Sequence, residues 1–469
     1  MGKLLFIPML TYGHFNCAIN IGRYLIDKNP KHEIYFLVSD LWEKKLMKIE
    51  PKFKSLVYIT DENAWSFSKP KEKNENKENE IVNKKIEEKK DDLDSLTKII
   101  SKPDKDWSDS SLSKVKGLSK FFECLSSIYD NYKDQILKLV NDLDPNLILY
   151  DHVVYPSYLM NRPWANLMSI NPLFMNHHEL PPYSSGYSSK KKLAEKEWIE
   201  FRKEFLINST DFLTKASLKL IEEGEPAMKL DSFFIVSPYF NIYIYPKEIN
   251  YFNDKIKLPG KWLRLDSPLS PSQKYMSINK NDQESRLNYL NQLFSIPKDF
   301  LKEGEKLIFF SVGSMASAYE KLMTRLYQLI SNVPNHKFII SKGPIDHIKE
   351  LPSNCIGDKF VDQIKILQVV DLMISHGGNN SLTECFHFGV PLVILPLFSD
   401  QPDNAMRLVD LDFGYKLDPF RCTQEDFNST IIKALNNKEL TNKMEKISQR
   451  IKKDNGMIKV LNEIEKYLN

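Results

Sequence analysis

Two histidines of this chain stand where a histidine can do chemistry. His14 follows Gly13 directly behind the apolar run Leu4–Met9, in the stretch Pro8-Met-Leu-Thr-Tyr-Gly-His-Phe-Asn16. A side chain just past the C-terminal end of a parallel strand faces the ligand crevice of an open α/β sheet. An imidazole titrates close to neutral pH, which suits it to abstract a proton. Such a base needs a carboxylate to fix its tautomer, and Asp151 ends a second apolar run, Leu147–Tyr150. The bland alternatives are a helix-capping histidine and a surface acid, with His152 as a weaker competitor for the proton.

The second histidine opens a longer constellation. A strand over Leu372–Ser375 runs into His376-Gly377-Gly378, where paired glycines let a ligand approach the backbone. Asn380 and Ser381 then start a helix, with Leu382, Phe386 and Val390 as its expected buried stripe. The amides and dipole at that start attract an anion such as a pyrophosphate. His376 and Asn380 can add side-chain hydrogen bonds, and Glu384, one turn above Asn380, is placed to accept them from ribose hydroxyls. Phe360-Val361-Asp362-Gln363 precedes this stretch, and Gly389-Val-Pro391 and Asp400-Gln401 follow it. Taken singly, each residue has an ordinary structural reading: Phe360 as core, Gly389-Val-Pro391 as the turn into a buried strand. The ordered spacing of the whole set argues against such a reading for Phe360, His376 and Glu384, while Gly389-Val-Pro391 keeps its structural one.

In that order the motifs resemble the C-terminal signature of family 1 glycosyltransferases, UDP-sugar-dependent enzymes of the GT-B fold: F/W-x-x-Q, H-x-G-x-N-S/G-x-x-E, G-V-P and D-Q. The resemblance implies two doubly wound Rossmann-like domains facing across a cleft. It implies that Phe360 stacks on uracil beside Val361, and that Gln363 contacts the base or ribose. His376, Gly378, Asn380 and Ser381 would hold the pyrophosphate, Glu384 the ribose, and Asp400 and Gln401 the sugar. Ser314, in Phe309-Phe-Ser-Val-Gly-Ser-Met315, and Gly13 would line the same donor site. His14 inherits the catalytic base of a G-H-x-x-P loop, with Cys17 in place of the proline, and Asp151 its aspartate partner. Plant members usually carry Trp and Pro where Phe360 and Asp362 stand, and Trp or Thr is common at the position of Asn379.

The implied activity is inverting transfer of a hexose from a UDP-sugar to an acceptor hydroxyl. Glucose is the preferred sugar, because Gln401 at the end of the signature is associated with it in the family. Asn171–Tyr187, with Phe174, Pro181, Pro182 and Tyr183, and the helical region 190–229 are the candidates for the acceptor pocket. Their aromatic character suits a small lipophilic alcohol or phenol, as in detoxification, though it suits interdomain packing equally. A membrane-lipid acceptor and a non-catalytic UDP-sugar- or lipid-binding protein are the alternatives. No cofactor or metal is expected: Asp92-Leu-Asp94, Asp142-Leu-Asp144 and Asp410-Leu-Asp412 all lack the strand-end context of a metal–diphosphate site and read as bland acids.

The elements that must position these residues follow from hydrophobic patterning. Strand-length runs at Leu4–Met9, Glu33–Ser39, Leu147–Tyr150, Leu167–Ile170 and Ile242–Tyr245 alternate with helical stretches, Asn16–Lys28 among them. A second series runs through Lys306–Val312, Phe338–Ser341, Leu372–Ser375 and Val390–Leu395. Two such series in 469 residues, 42% of them hydrophobic, imply two parallel-sheet domains with adequate cores. The expected division is an acceptor domain over 1–265, a linker over 266–300 and a donor domain over 301–455. An amphipathic helix over 456–469, with Ile458, Leu461, Ile464 and Leu468 apolar, could pack back on the first domain. The charged stretch 69–94 reads as an insertion outside either core.

Composition excludes other classes. A net charge of +3 argues against a nucleic-acid binder. The five cysteines are scattered and never spaced C-x-x-C, so neither a disulfide framework nor a zinc site is expected. The longest apolar run, Val390–Phe398, holds two prolines and cannot span a bilayer. No signal peptide is read, and a cytoplasmic protein without membrane insertion or glycans is the expectation. Oligomeric state is not legible.

Overall fold

The computed structural model describes residues 2–59, 131–151, 161–190, 195–222 and 235–269, then 278–469 apart from 344–349 and a few single positions. The charged stretch 69–94 and His152 lie outside the described residues. Two parallel sheets account for the architecture. The first comprises β1 (Lys3–Ile7), β2 (Glu33–Ser39), β3 (Lys54–Tyr58), β4 (Leu147–Tyr150), β5 (Trp164–Met168), β6 (Phe240–Ile244) and β7 (Trp262–Leu265), in the order β3-β2-β1-β4-β5-β6-β7. The second comprises β8 (Lys306–Ser311), β9 (His336–Ser341), β10 (Cys355–Asp358), β11 (Leu372–Ser375), β12 (Leu392–Ile394) and β13 (Gly414–Lys416), in the order β10-β9-β8-β11-β12-β13. Each is doubly wound. The strand order reverses between β1 and β4 in one and between β8 and β11 in the other, and such reversals are where open sheets bind ligands.

The helices are α1 (Tyr12–Lys28), α2 (Asp40–Ile49), α3 (Glu195–Glu222), α4 (Gln283–Leu293), α5 (Gly313–Ala316), α6 (Glu320–Ser331), α7 (Gln363–Ile366), α8 (Asn379–Phe388), α9 (Gln401–Asp410), α10 (Gln424–Asn436), α11 (Lys438–Lys453) and α12 (Gly456–Leu468). Several expected boundaries move. Helix α1 begins at Tyr12 rather than Asn16, so Gly13 and His14 occupy its first turn and not a loop. Strand β5 starts at Trp164, and Ile170 lies beyond it. Helix α8 ends at Phe388 with Gly389 as a left-handed cap, which takes Val390 out of the helix, and β12 shortens to Leu392–Ile394.

Central strands are buried along their length: β4, β5 and β6 have every residue inside. That is why β4 reads as a continuous apolar run, whereas buried Asn166 and Asn241 interrupt β5 and β6. Met457, Val460, Leu461, Ile464 and Leu468 of α12 join the core of the first sheet, whereas Ile458 is turned to solvent. Arg450 of α11 makes paired hydrogen bonds to Glu248 (2.6 and 2.7 Å) and to Asp266 (2.8 and 2.9 Å), which pins the end of the chain to the first half. Within 266–300, α4 packs on the second sheet, its Arg286 bonded to Asp371 at 2.7 Å. Among the described residues no helix is long and apolar enough to cross a membrane.

One apolar cluster runs across the junction of the halves, uniting Met168, Phe174, Tyr245 and Ile249 with Phe309, Leu382, Leu392 and Ala405. Above it, α9 acts as a polar clamp. Asp403 accepts hydrogen bonds from the backbone N–H groups of Ser184 and Gly186, the latter at 2.8 Å. Arg407 donates to the carbonyls of Ile249 (2.8 Å) and Asn250 (2.6 Å). Asp410 accepts from the Ser188 hydroxyl at 2.7 Å and from the Ser189 N–H at 2.8 Å. Asp410 is therefore no bland acid. Asp403 is buried, so Asp403→Ala leaves two enclosed N–H groups without their acceptor, at about 1–3 kcal/mol each. Hydrogen exchange of 183–189 should accelerate by at least about tenfold, while β8 and β11 keep their protection. Unchanged exchange in that loop would show that the clamp contributes nothing.

Candidate active site

At the first reversal, the C-terminal ends of β1 and β4 deliver His14 and Asp151 side by side. His14 Nδ1 lies 2.7 Å from Asp151 Oδ2, and Asp151 also takes the Met9 N–H at 3.5 Å. Both side chains are largely enclosed, 13% exposed for His14 and 4% for Asp151. Burial works to lower the His14 pKa, but the charge and hydrogen bond of Asp151, helped by Asp400, hold it above the ordinary imidazole value. The pair forms a dyad in which Asp151 fixes the tautomer with the proton on Nδ1. Nε2 is then the unprotonated nitrogen of the neutral ring.

Ser169, one residue past β5, was not singled out from sequence. Its Oγ lies 2.9 Å from the same Nδ1. A serine after a strand carries no signal of its own. The adjacency of β5 to β4, a fact of sheet order, is what brings it to the dyad.

At the second reversal, β8 leads through Gly313 into α5 and β11 leads through His376-Gly377-Gly378 into α8. Gly313 has φ +79°, and a methyl there would sit 3.0 Å from the His376 ring, so the two turns are packed directly together. Ser314 occupies the first turn of α5. Burial pushes the His376 pKa down to about 4 against the Ser311 carbonyl, so at neutral pH it is an uncharged imidazole. Positive potential at this spot must come from α8, whose first N–H groups, like those of every helix, have no partner within the helix. Gly378 is the cap, and Asn379 is tied to the first half through its amide on the Ile244 carbonyl at 2.9 Å.

Gln363, at the start of α7, donates to Ser381 Oγ at 3.2 Å and to Glu384. This brings together Gln363 and Glu384, which sequence placed around the nucleoside, and Ser381, which it placed at the pyrophosphate. Burial raises the Glu384 pKa to about 7, opposed by the Gln363 hydrogen bond. Phe360 is 55% exposed, which removes its core reading, and Val361 beside it is half-buried.

The two reversals meet. A methyl on Gly13 would come 2.8 Å from the side-chain amide of Asn380, so the starts of α1 and α8 abut across the cleft. Asp400 lies beside them. Its Oδ2 accepts the Asn171 N–H at 3.2 Å and the Asn404 amide at 3.3 Å, and burial raises its pKa to about 6, with His14 acting in the opposite sense. Gln401 spends its carbonyl oxygen on the N–H groups of Leu397 and Phe398, at 3.0 and 3.1 Å, leaving its NH₂ as the group able to face a ligand.

The loop 171–187, one candidate for the acceptor pocket, is in large part an interdomain seal. Phe174 is buried, Tyr183 shares a hydrogen bond with Ser399 at 2.7 Å, and Ser184 and Gly186 are held by Asp403. Asn171 donates to Asn404 Oδ1 at 2.7 Å, and Asn404 in turn donates to the Gly377 carbonyl at 2.9 Å. Interdomain packing was the alternative reading of the loop's aromatic residues, but the polar roles of Asn171, Asp403 and Asn404 were missed. The available signal was the polar spacing 400, 403, 404, 407, 410, which lays one face along a helix.

A family model described as UDP-glucoronosyl and UDP-glucosyl transferase matches residues 295–462. YdhE of Bacillus subtilis (strain 168), an uncharacterized UDP-glucosyltransferase, is 31% identical over 175 residues, 37% of this chain and 44% of that protein. UDP-glucosyltransferase 2 of Dactylopius coccus is 30% identical over 156 residues, 32% of this chain and 30% of that protein. The chain thus spans less than half the length of the curated relatives it matches. In three dimensions the likeness extends over both halves. The glycotransferase of kitacinnamycin superposes with a TM-score of 0.63 at 14% identity, covering 100% of this chain and 99% of that one. SsfS6 of Streptomyces sp. SF2575, complexed with thymidine diphosphate, gives 0.60 at 11% identity, covering 99% and 100%. Residues 295–462 are thus similar to the UDP-glucoronosyl and UDP-glucosyl transferase family, and the architecture throughout is that of the GT-B fold.

Proposed function

We propose that the protein is an inverting UDP-glycosyltransferase that moves a hexose, preferentially glucose from UDP-glucose, to the hydroxyl of a small lipophilic acceptor. The observation that carries this reading is the juxtaposition of the His14–Asp151 dyad with the start of α8, at the contact of Gly13 and Asn380. A base on one wall and an anion-binding helix start on the other are what displacement at an anomeric carbon requires. His14 Nε2 takes the acceptor's proton as its oxygen bonds to the anomeric carbon. The bond from that carbon to the diphosphate breaks, and its electron pair leaves on the phosphate oxygen toward α8. Asp151 stabilises the imidazolium that forms. Neutral His376, Asn380, Ser381 and Ser314 donate hydrogen bonds to the diphosphate, Gln363 and Glu384 hold the ribose, and Phe360 and Val361 bound the base. Asp400 and the Gln401 amide face the sugar. No metal enters the scheme. The family name and those of YdhE and the Dactylopius enzyme favour a UDP-hexose donor. The lipophilic acceptor, of the kind met in detoxification, rests on the aromatic composition of 171–187, although Phe174 and Tyr183 are buried at the junction.

His14→Ala should lower kcat by about 10²–10⁴-fold while leaving UDP affinity within about twofold. Turnover at the full rate would remove His14 from the mechanism. Because the His14 pKa is raised, the base is lost to protonation as pH falls through that elevated value, and activity declines on the acid side. Asp151→Asn removes what raises it. In that variant kcat should fall strongly and the acid limb of the rate profile should move to lower pH; a limb that stays in place would assign it to another group.

Donor anchoring separates from chemistry by ligand. Glu384→Ala should raise the dissociation constants of uridine, UMP and UDP alike, by about one to two orders of magnitude. A ribose hydroxyl donates to the carboxylate, so uridine should bind more tightly as pH rises through about 7, and Glu384→Gln should abolish that dependence. His376→Ala should weaken UDP far more than uridine. Equal losses for all three ligands in His376→Ala, read by calorimetry, would overturn its assignment to the diphosphate.

A further inference from the structure

Nδ1 of His14 has two oxygens within hydrogen-bond reach, Asp151 Oδ2 at 2.7 Å and Ser169 Oγ at 2.9 Å. An unprotonated Nδ1 would set a lone pair against a carboxylate at that distance, so the proton sits on Nδ1. A single N–H then points between two acceptors. The three oxygen- and nitrogen-bearing groups come from the ends of adjacent elements, β1–α1, β4 and β5, and Ser169 is 2% exposed. Asp151 fixes which nitrogen carries the proton. A second oxygen at 2.9 Å from the same nitrogen restrains rocking of the ring about that bond.

We propose that Ser169 is a positioning residue for the base: its hydroxyl oxygen is the second acceptor of the His14 Nδ1–H. It holds the ring so that Nε2 meets the acceptor hydroxyl, and it strengthens its hold as the ring becomes cationic. The inference rests on the reading of His14 as general base. The covalent step is unchanged by it. The acceptor's proton moves to Nε2, the Nδ1 proton stays where it is, and Asp151 and Ser169 share the increased acidity of that N–H. Because Ser169 acts through His14 and on the protonated ring, its loss should show in kcat and in the acidity of the imidazole rather than in donor affinity.

Ser169→Ala should lower kcat with UDP-glucose and umbelliferone by about 5- to 20-fold, with the KM for UDP-glucose changed by less than about twofold. Loss of an acceptor favours the neutral ring, so the acid limb of kcat/KM should move to lower pH. Ser169→Thr, which keeps the oxygen, should restore both. In parallel, NMR of protein labelled at histidine follows the His14 titration without substrate, and Ser169→Ala should lower its midpoint. An unmoved midpoint, in a variant whose remaining histidine signals show it folded, overturns the proposal. So does a higher KM for UDP-glucose at constant kcat, which would make the hydroxyl a sugar contact. The two levels of inference fail separately. Full turnover in His14→Ala removes the base itself, whereas an inactive His14→Ala beside an unaltered Ser169→Ala removes only the role of Ser169.

Discussion

Asn380 rests against the backbone of Gly13 with no room for a methyl group between them. This contact between the starts of two helices, one from each sheet, is the constraint on which the rest of the molecule depends. Each helix start is the product of a strand-order reversal, and a reversal alone makes only half a site. The apolar cluster that runs through the junction, the α9 clamp, the paired hydrogen bonds of Arg450 and the return of α12 onto the first sheet all hold the two reversals in register. Most of that apparatus lies well away from His14. A shift of an ångström at the junction would leave the dyad intact but displace it relative to the start of α8, and catalytic geometry tolerates little of that.

Enclosing so many polar groups at the junction is costly unless each is matched. The site answers with pairs whose members pull in opposite directions. Burial drives Asp400 up to about 6 and Glu384 up to about 7, while it drives His376 down to about 4. Of these four groups His14 alone runs against burial, because the charge and hydrogen bond of Asp151 outweigh it. The outcome is one enclosed imidazole tuned to gain a proton and another kept neutral. Two histidines that look interchangeable in the sequence therefore suit different tasks, base and neutral donor, through their surroundings alone.

The sheets' centres were legible and their margins were not. Runs at Leu147–Tyr150 and Leu372–Ser375 match β4 and β11 because those strands are buried on both faces and consist of nothing but apolar side chains and a serine. The four strands missed, β3, β7, β10 and β13, are the four edge strands. Each is half-exposed along most of its length, so its residues carry the mixed polarity of a surface. The same logic divides the site. Residues that follow a central strand, such as His14, Asp151 and His376, announce themselves by position. Ser169 follows one too, but a lone serine gives no chemical hint until a neighbouring strand shows what it touches.

The Asp400–Asp410 stretch shows why a motif can be located correctly and still be half understood. Read linearly, Asp400-Gln401 is a sugar-binding pair followed by an unremarked helix. In the fold, Asp400, Asp403, Asn404, Arg407 and Asp410 form one helical face spent almost entirely on the opposite half of the chain. Asp400 heads that face, with one oxygen committed to Asn171 and Asn404 at the junction and its charge acting on His14. A side chain so placed cannot move without disturbing the clamp, and the clamp cannot loosen without moving the side chain. The face therefore ties the fit of the two halves to the electrostatics of the base, and the polar spacing along α9 follows from that double duty as much as from any ligand.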